Sequence, residues 1–341
     1  MQKTIAREVA NWYFPACSAG TQVVATRKGR MEHLPHRSAP RRKSHVIKGG
    51  LAPVVAVAAL FPTSVALLTG TDVAAASGTG YVALGDSFTS GPDIPTQLAD
   101  PAGCLRSSNN YPHVAAAALK LALTDVSCSG ATTADMYAAQ SVTPGPTNPA
   151  QLSALTTSTA AVSLQVGGDN LGFTSILENC IALTPWGPTK VGASCKSYYD
   201  PGGHDSLLAA IDALAPTIGT LLEQIHTQAP TAAVFVVGYP AILPQNGACW
   251  PSMPFETADA LYLSQTEVEL NEMLSTEATA NGDVFVNTYT PSINHNACTS
   301  EANRWVEPLV PASPAYPVHP NANGEAEMAG LLEAAMEAKG L

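Results

Sequence analysis

The 341-residue chain predicts an α/β fold, a parallel sheet covered on both faces by helices. Three observations carry that expectation. From residue 81 to the C-terminus, short apolar runs of strand length alternate with stretches of helical periodicity. Glycine-bearing turns follow several of the apolar runs. Apolar residues make up 46% and charged residues 13% of the chain, enough apolar surface to exclude disorder over most of it and too few charges for a coiled coil.

The first strand is expected at 81–84, Tyr-Val-Ala-Leu. A helix is expected at 111–123, with Pro112 at its start. Residues 160–166 read as a second strand, ended by Gly167-Gly168. Across 205–228, Leu207, Ile211, Leu214, Ile218, Leu221, Leu222 and Ile225 recur at helical spacing. A third strand at 232–237 closes on Gly238-Tyr239-Pro240. A long helix follows at 257–280, with Leu261, Val268 and Leu270 among its apolar positions. Asn281-Gly282-Asp283 turns into a strand at 284–286, and a helix at 322–339 ends the chain before Gly340. No repeat or long linker interrupts 77–341, so this segment is expected to be a single domain. In sheets of this kind functional residues gather at the C-terminal ends of strands.

The charge is split between two unlike segments. Residues 1–76 hold ten Lys/Arg and three Asp/Glu, a net +7, whereas 77–341 hold six and twenty-four, a net −18. The acidic body argues against nucleic-acid binding. A basic stretch at 37–48 precedes an apolar run at 51–68 and the small residues Ala74-Ala75-Ala76, the order of a signal peptide, so export with cleavage near Ala76 is expected. A permanent membrane anchor is the weaker reading, given Pro53 and Pro62 within the run. Met31 would make a more ordinary start than Met1, and Arg41-Arg42 lacks the apolar residues expected after a twin-arginine pair. Cys17 lies in the processed segment, which leaves Cys104, Cys128, Cys180, Cys195, Cys249 and Cys298. An even number in an exported chain reads as disulfides, and six permit fifteen pairings among which sequence alone does not choose. Their spacing suggests neighbours in order, 104–128, 180–195 and 249–298; no two are close enough for a zinc-type pair.

The first strand runs into Gly85-Asp86-Ser87, where a tight turn would lift a hydroxyl above the sheet edge. Gly, Asp and Ser are also ordinary turn residues, so the triplet alone is weak. A serine nucleophile needs a base, most often histidine. His113 and His226 fall in expected helices, and His204 lies in a loop with no supporting pattern. His295, beside Cys298, competes with His319, which sits in Pro317-Val318-His319-Pro320 just before the last helix. Donors for an oxyanion are offered by Cys128-Ser129-Gly130 and by Gly167-Gly168-Asp169-Asn170.

These four blocks, in this order, resemble the SGNH/GDSL hydrolases. Asn110-Tyr111-Pro112 and Ser127-Cys128-Ser129-Gly130-Ala131-Thr132-Thr133 narrow the likeness to secreted bacterial lipases and esterases with three disulfides, over essentially 81–341. The resemblance implies a three-layer α/β/α sandwich with a central parallel sheet, of flavodoxin-like type. It implies Ser87 as nucleophile and His319 as general base and acid, with an oxyanion hole from the Ser87 and Gly130 N–H groups and an asparagine side chain. Two departures stand out. The family usually reads Gly-x-Asn-Asp where this chain has Gly167-Gly168-Asp169-Asn170, and an ionised Asp169 could not donate. The loop is therefore expected to shift so that Asn170 donates; if it keeps the family register, Asp169 faces the oxyanion. The family often has Asp three residues before the histidine, where this chain has Tyr316. The carbonyl of Tyr316 or Pro317 is the expected stand-in, with Glu307 a weaker one whose ordinary role is loop anchoring. His319 is then expected to titrate near the unperturbed value of about 6.5.

The expected function is a secreted serine esterase or lipase, hydrolysing acyl glycerides or phospholipids through an acyl-enzyme. No cofactor or metal is implied. The chain is expected to be a monomer that makes transient contact with lipid surfaces. A polysaccharide deacetylase of the same family is one alternative. A catalytically inactive binding protein on this fold, suggested by Asp169-Asn170 and Tyr316, is another.

Overall fold

The computed structural model describes residues 80–187, 192 and 194–341. The expected export signal, its cleavage near Ala76, the alternative start at Met31 and Cys17 lie outside the described residues.

Five parallel strands form one sheet in the order β2-β1-β3-β4-β5: β1 Gly80–Gly85, β2 Ala122–Asp125, β3 Thr159–Gln165, β4 Ala233–Val237 and β5 Val284–Val286. The helices are α1 Ser87–Ser90, α2 Tyr111–Leu119, α3 Gly168–Leu171, α4 Phe173–Leu183, α5 Cys195–Tyr199, α6 Ser206–Gln228, α7 Thr257–Asn281, α8 Tyr289–Ser292 and α9 Ala322–Glu337. Side chains alternate across the strands as a pleated sheet demands. Val82, Leu84, Val162, Leu164, Val234 and Val236 face Ile211, Ile218 and Leu221 of α6 and Leu270 and Met273 of α7. Tyr81, Ala83, Ala161, Phe235, Val237 and Val286 face Tyr111 and Ala115 of α2 and Met328 and Leu332 of α9. Both faces are thus covered, giving the three layers. Removing a fully buried ring such as Phe235 from this core would cost about 3–5 kcal/mol.

Local chemistry sets the element ends. Asp205 caps α6, its carboxylate accepting from the Leu207 and Leu208 N–H groups. Asn110 caps α2 by accepting from the His113 N–H. The expected helix over 111–123 stops at Leu119, because Lys120 turns left-handed (φ 57°) and its N–H closes on the Ala116 carbonyl. Residues 122–125, absorbed into that helix by periodicity, form the edge strand β2 instead. An edge strand has one neighbour and, here, a half-exposed pattern, so it carries little hydrophobic signal. Within α7, Leu261 is exposed and Val268 half-buried, and Leu263, Leu270, Met273 and Leu274 form the packed face.

The cysteines pair as Cys104–Cys128, Cys180–Cys195 and Cys249–Cys298, with sequence separations of 24, 15 and 49. In the chain-entropy picture, closing loops of those lengths stabilises the fold by roughly 3–4 kcal/mol each.

The order in which strands are laid down reverses at β1: the next strand, β2, lies on one side of it and β3 on the other. The crevice at the C-terminal ends of β1 and β3 is the topological switch point, where ligands bind in sheets of this class.

Candidate active site

Ser87 stands two residues past the end of β1, as the first residue of α1. The turn is held by Asp86, whose Oδ1 accepts the Phe88 N–H at 2.9 Å and whose Oδ2 accepts the Tyr239 hydroxyl. That hydroxyl in turn accepts the Gly168 N–H at 2.9 Å, so one network ties the ends of β1, β3 and β4 together. Gly85 is required by close approach: a Cβ there would lie 2.1 Å from Thr89 Oγ1 and 2.8 Å from the Gln165 carbonyl. Burial and the nearby Asp169 push the Asp86 carboxyl up, against the pull of its two hydrogen bonds.

His319 arrives from 232 residues away, with its Nε2 2.7 Å from Ser87 Oγ. Its Nδ1 lies 2.8 Å from the Pro317 carbonyl. A carbonyl only accepts, so Nδ1 carries the proton and Nε2 is left to accept from the serine hydroxyl. Of the two stand-ins considered, the Pro317 carbonyl meets the ring, while the Tyr316 carbonyl accepts the His319 backbone N–H at 3.2 Å. Val318, between Pro317 and His319, adopts φ 62°, a left-handed conformation unusual for a β-branched residue and needed to fold the carbonyl back onto the ring. The rings of Phe88, Tyr316 and Phe173 pack around the imidazole at 4.7, 5.3 and 6.1 Å. Instead of titrating near 6.5, the imidazole is pulled down to about 4 by this burial, only partly offset by the Pro317 carbonyl.

Glu307 does not reach the imidazole. It is fully buried behind the loop, where it accepts from Asn321 Nδ2 and the Ala312 N–H at 2.8 Å each, and its own N–H holds the His319 carbonyl at 2.9 Å. Among the other described histidines, His113 is engaged with Asn110, His226 with Asp283 and His295 is stacked on Trp305, while His204 lies exposed in its loop.

The Ser87 N–H opens a helix and has no acceptor among the described residues. Gly130 is exposed with φ 76°, and its N–H is likewise unused. Asn170 is exposed, pairs with Thr133 and is not among the residues lining the cavity with Ser87. Its Oδ1 accepts the Thr133 N–H at 3.0 Å, and one Nδ2 hydrogen is donated to Thr133 Oγ1 at 2.8 Å. Asp169, in the preceding position, lines the cavity with Ser87. The Asn170–Thr133 pair holds the loop with Asp169 on the cavity side.

Residues 83–326 match the sequence profile of the GDSL-like Lipase/Acylhydrolase family. The chain belongs to that family. Lipase 2 of Streptomyces coelicolor (strain ATCC BAA-471 / A3(2) / M145) is 37% identical to it over 254 residues, 73% of this chain and 83% of that protein. Phospholipase A1 from Streptomyces albidoflavus NA297 superposes with a TM-score of 0.59 at 25% identity, over 76% of this chain and 99% of the other. The extracellular lipase from Streptomyces rimosus gives the same TM-score at 24% identity, over 75% and 99%, a likeness of fold. The GDSL-like protein is a hydrolase of carboxylic esters.

The cavity of this GDSL-like hydrolase was only partly foreseen. It runs from Ser87 and Asp86 between Phe173, Ile176, Leu177, Ile242, Leu263 and Leu270, and contains Glu267. Tyr239 could have been flagged, since Gly238-Tyr239-Pro240 ends a strand at the functional edge of the sheet. Glu267 gave no signal, because a glutamate within a helix is ordinarily solvated. Here its Oε2 accepts the Ile242 N–H at 3.1 Å, its Oε1 has no partner among the described residues, and burial pushes the carboxyl well up. Among the described residues no group of three His, Cys, Asp or Glu is placed to hold a metal.

Proposed function

We propose that this GDSL-like hydrolase is a secreted lipase or esterase acting through an acyl-enzyme on Ser87. The observation that carries the reading is the 2.7 Å contact between Ser87 Oγ and His319 Nε2 at the mouth of an apolar cavity. Ser87 Oγ attacks the ester carbonyl as its proton passes to Nε2, and the negative oxygen is met by the Ser87 and Gly130 N–H groups. The intermediate collapses, and His319 returns the proton to the departing alcohol. Water then attacks the acyl-enzyme, again losing a proton to His319, and the acid leaves with Ser87 restored. With a carbonyl in place of a carboxylate behind it, His319 acts with Ser87 as a dyad.

The aliphatic lining of the cavity suits an acyl chain rather than the single methyl of an acetyl group, which favours a lipid ester over an acetylated glycan. The phospholipase A1 among its structural relatives makes phospholipids part of the expected range. The basic, apolar, small-residue order of 37–76 supports export. A substrate panel tests the reading: purified protein offered short and long acyl esters, phospholipid and acetylated xylan should prefer acyl chains longer than acetyl. Preference for the acetylated glycan would replace lipase with deacetylase, and no turnover of any ester would leave a binding protein.

A further inference from the structure

Asp169 lines the same cavity as Ser87, and an ionised carboxylate there would be a poor partner for an oxyanion, since it only accepts hydrogen bonds and repels negative charge. Its side chain lines the cavity beside Ser87. Asp86 receives the Phe88 N–H and the Tyr239 hydroxyl, and Asp135 receives the N–H and hydroxyl of Thr132. Asp169 receives no hydrogen bond to its carboxyl from any described residue, so nothing compensates a charge there. The titratable groups around it are Asp86, which caps α1, Asp135 from the turn after β2, Tyr239 from the end of β4, Glu267 from α7 and, across Ser87, His319. No Lys or Arg among the described residues lines the cavity.

We propose that Asp169 works as a neutral carboxylic acid, its O–H donating to the oxyanion beside the Ser87 and Gly130 N–H groups, and that this confines the enzyme to acidic conditions. The proposal rests on the reading of Ser87 as nucleophile. The proton stays on Asp169 throughout, and the acid supplies the hydrogen bond that an amide would otherwise give. Burial, with the charge of Asp135, raises Asp169 to about 6, while burial lowers His319 to about 4. Below the lower value the base is protonated. Above the upper one the donor is lost and a negative charge appears where the oxyanion forms, so kcat/KM traces a bell between the two.

The test is the pH profile of kcat/KM for p-nitrophenyl butyrate in the wild type, Asp169→Asn, Asp169→Ala and Ser87→Ala, with product measured chromatographically. In the wild type, activity should fall about tenfold per pH unit above about pH 6. Asp169→Asn carries a donor at every pH, so its alkaline limb should vanish and it should exceed the wild type by about 100-fold two units above the break. Asp169→Ala should lose about 10²–10³-fold in kcat near pH 5, as loss of an oxyanion donor does. Labelling by a fluorophosphonate reports that each Asp169 variant is folded with Ser87 accessible. An alkaline limb that persists in Asp169→Asn, or wild-type kcat near pH 5 in Asp169→Ala, overturns the proposal. Turnover retained by Ser87→Ala instead overturns the underlying reading of the nucleophile.

Discussion

Two loops close on Ser87, and each brings a carboxyl group. Behind the loop that delivers His319, Glu307 is fully buried and accepts from Asn321 Nδ2, the Ala312 and Ser313 N–H groups and the Arg304 guanidinium. In the loop after β3, Asp169 accepts from none of the described residues and faces the cavity. The neighbours of a carboxyl, more than its distance from the nucleophile, thus separate structural from chemical roles. A group whose lone pairs are already used holds its loop in place. One left open to a cavity is available to what binds there, and its protonation state becomes part of the site.

The largest expected effect lies at the point where the loops meet. Ser87→Ala should abolish fluorophosphonate labelling and lower ester turnover by about 10⁴-fold or more, and His319→Ala should be comparably damaging, since the pair acts as one unit. Labelling retained in Ser87→Ala would move the nucleophile elsewhere. Glu307→Gln sharpens the comparison from the saturated side. It points an amide NH₂ at donors, so stability should fall by about 1–3 kcal/mol, seen as a lower Tm. Turnover per folded molecule should drop less than tenfold, far short of the ~10⁴-fold loss that follows removal of a triad aspartate. A loss of that size in folded protein would show that a carboxylate orients His319 after all.

The smallest effect concerns Glu267, which is intermediate between the two, with one oxygen bonded to the Ile242 N–H and the other unpartnered. Burial holds its folded-state pKa above the ordinary carboxyl value of 4.5. The stability that comes from keeping its proton is therefore complete below about 4.5 and is lost as pH rises toward the folded-state value. Glu267→Gln keeps the Ile242 contact and does not titrate. Its Tm should match that of the wild type near pH 4 and exceed it by a few degrees near pH 8. An equal difference at both pH values would show that the carboxyl does not titrate across this range.

Most of the framework was legible in the chain. β1, β3, β4 and β5 fall within one residue of their expected positions at each end, because buried strands declare themselves as continuous apolar runs bounded by glycine turns. The edge strand β2 was not legible: Leu121-Ala122-Leu123 continues a helical pattern, and only the left-handed Lys120 and the pairing with β1 make it a strand. At the site, the two side chains that the structure brings together, Ser87 and His319, were legible because a nucleophile and a base would demand these residue types next to strand ends. Which residue of the third block lines the cavity was not. Asp169 and Asn170 are adjacent, and which one turns toward Ser87 depends on whether Thr133, 37 residues from Asn170, captures the amide.

By itself the sequence determined the α/β class, the residue types able to do acyl chemistry, and the even set of cysteines after a basic and apolar segment, since periodicity, side-chain chemistry and counting are local properties. Tertiary structure decided everything that depends on distant groups meeting. It brought His319 to 2.7 Å from Ser87 across 232 residues and chose the Pro317 carbonyl as the partner of its ring. It saturated Glu307 and left Asp169 open. It also buried His319 among Phe88, Phe173 and Tyr316, pulling the imidazole to about 4. The physical reason is common to all of these: hydrogen bonding and desolvation are set by what surrounds a group in space, and chain order specifies those surroundings only once the fold has formed.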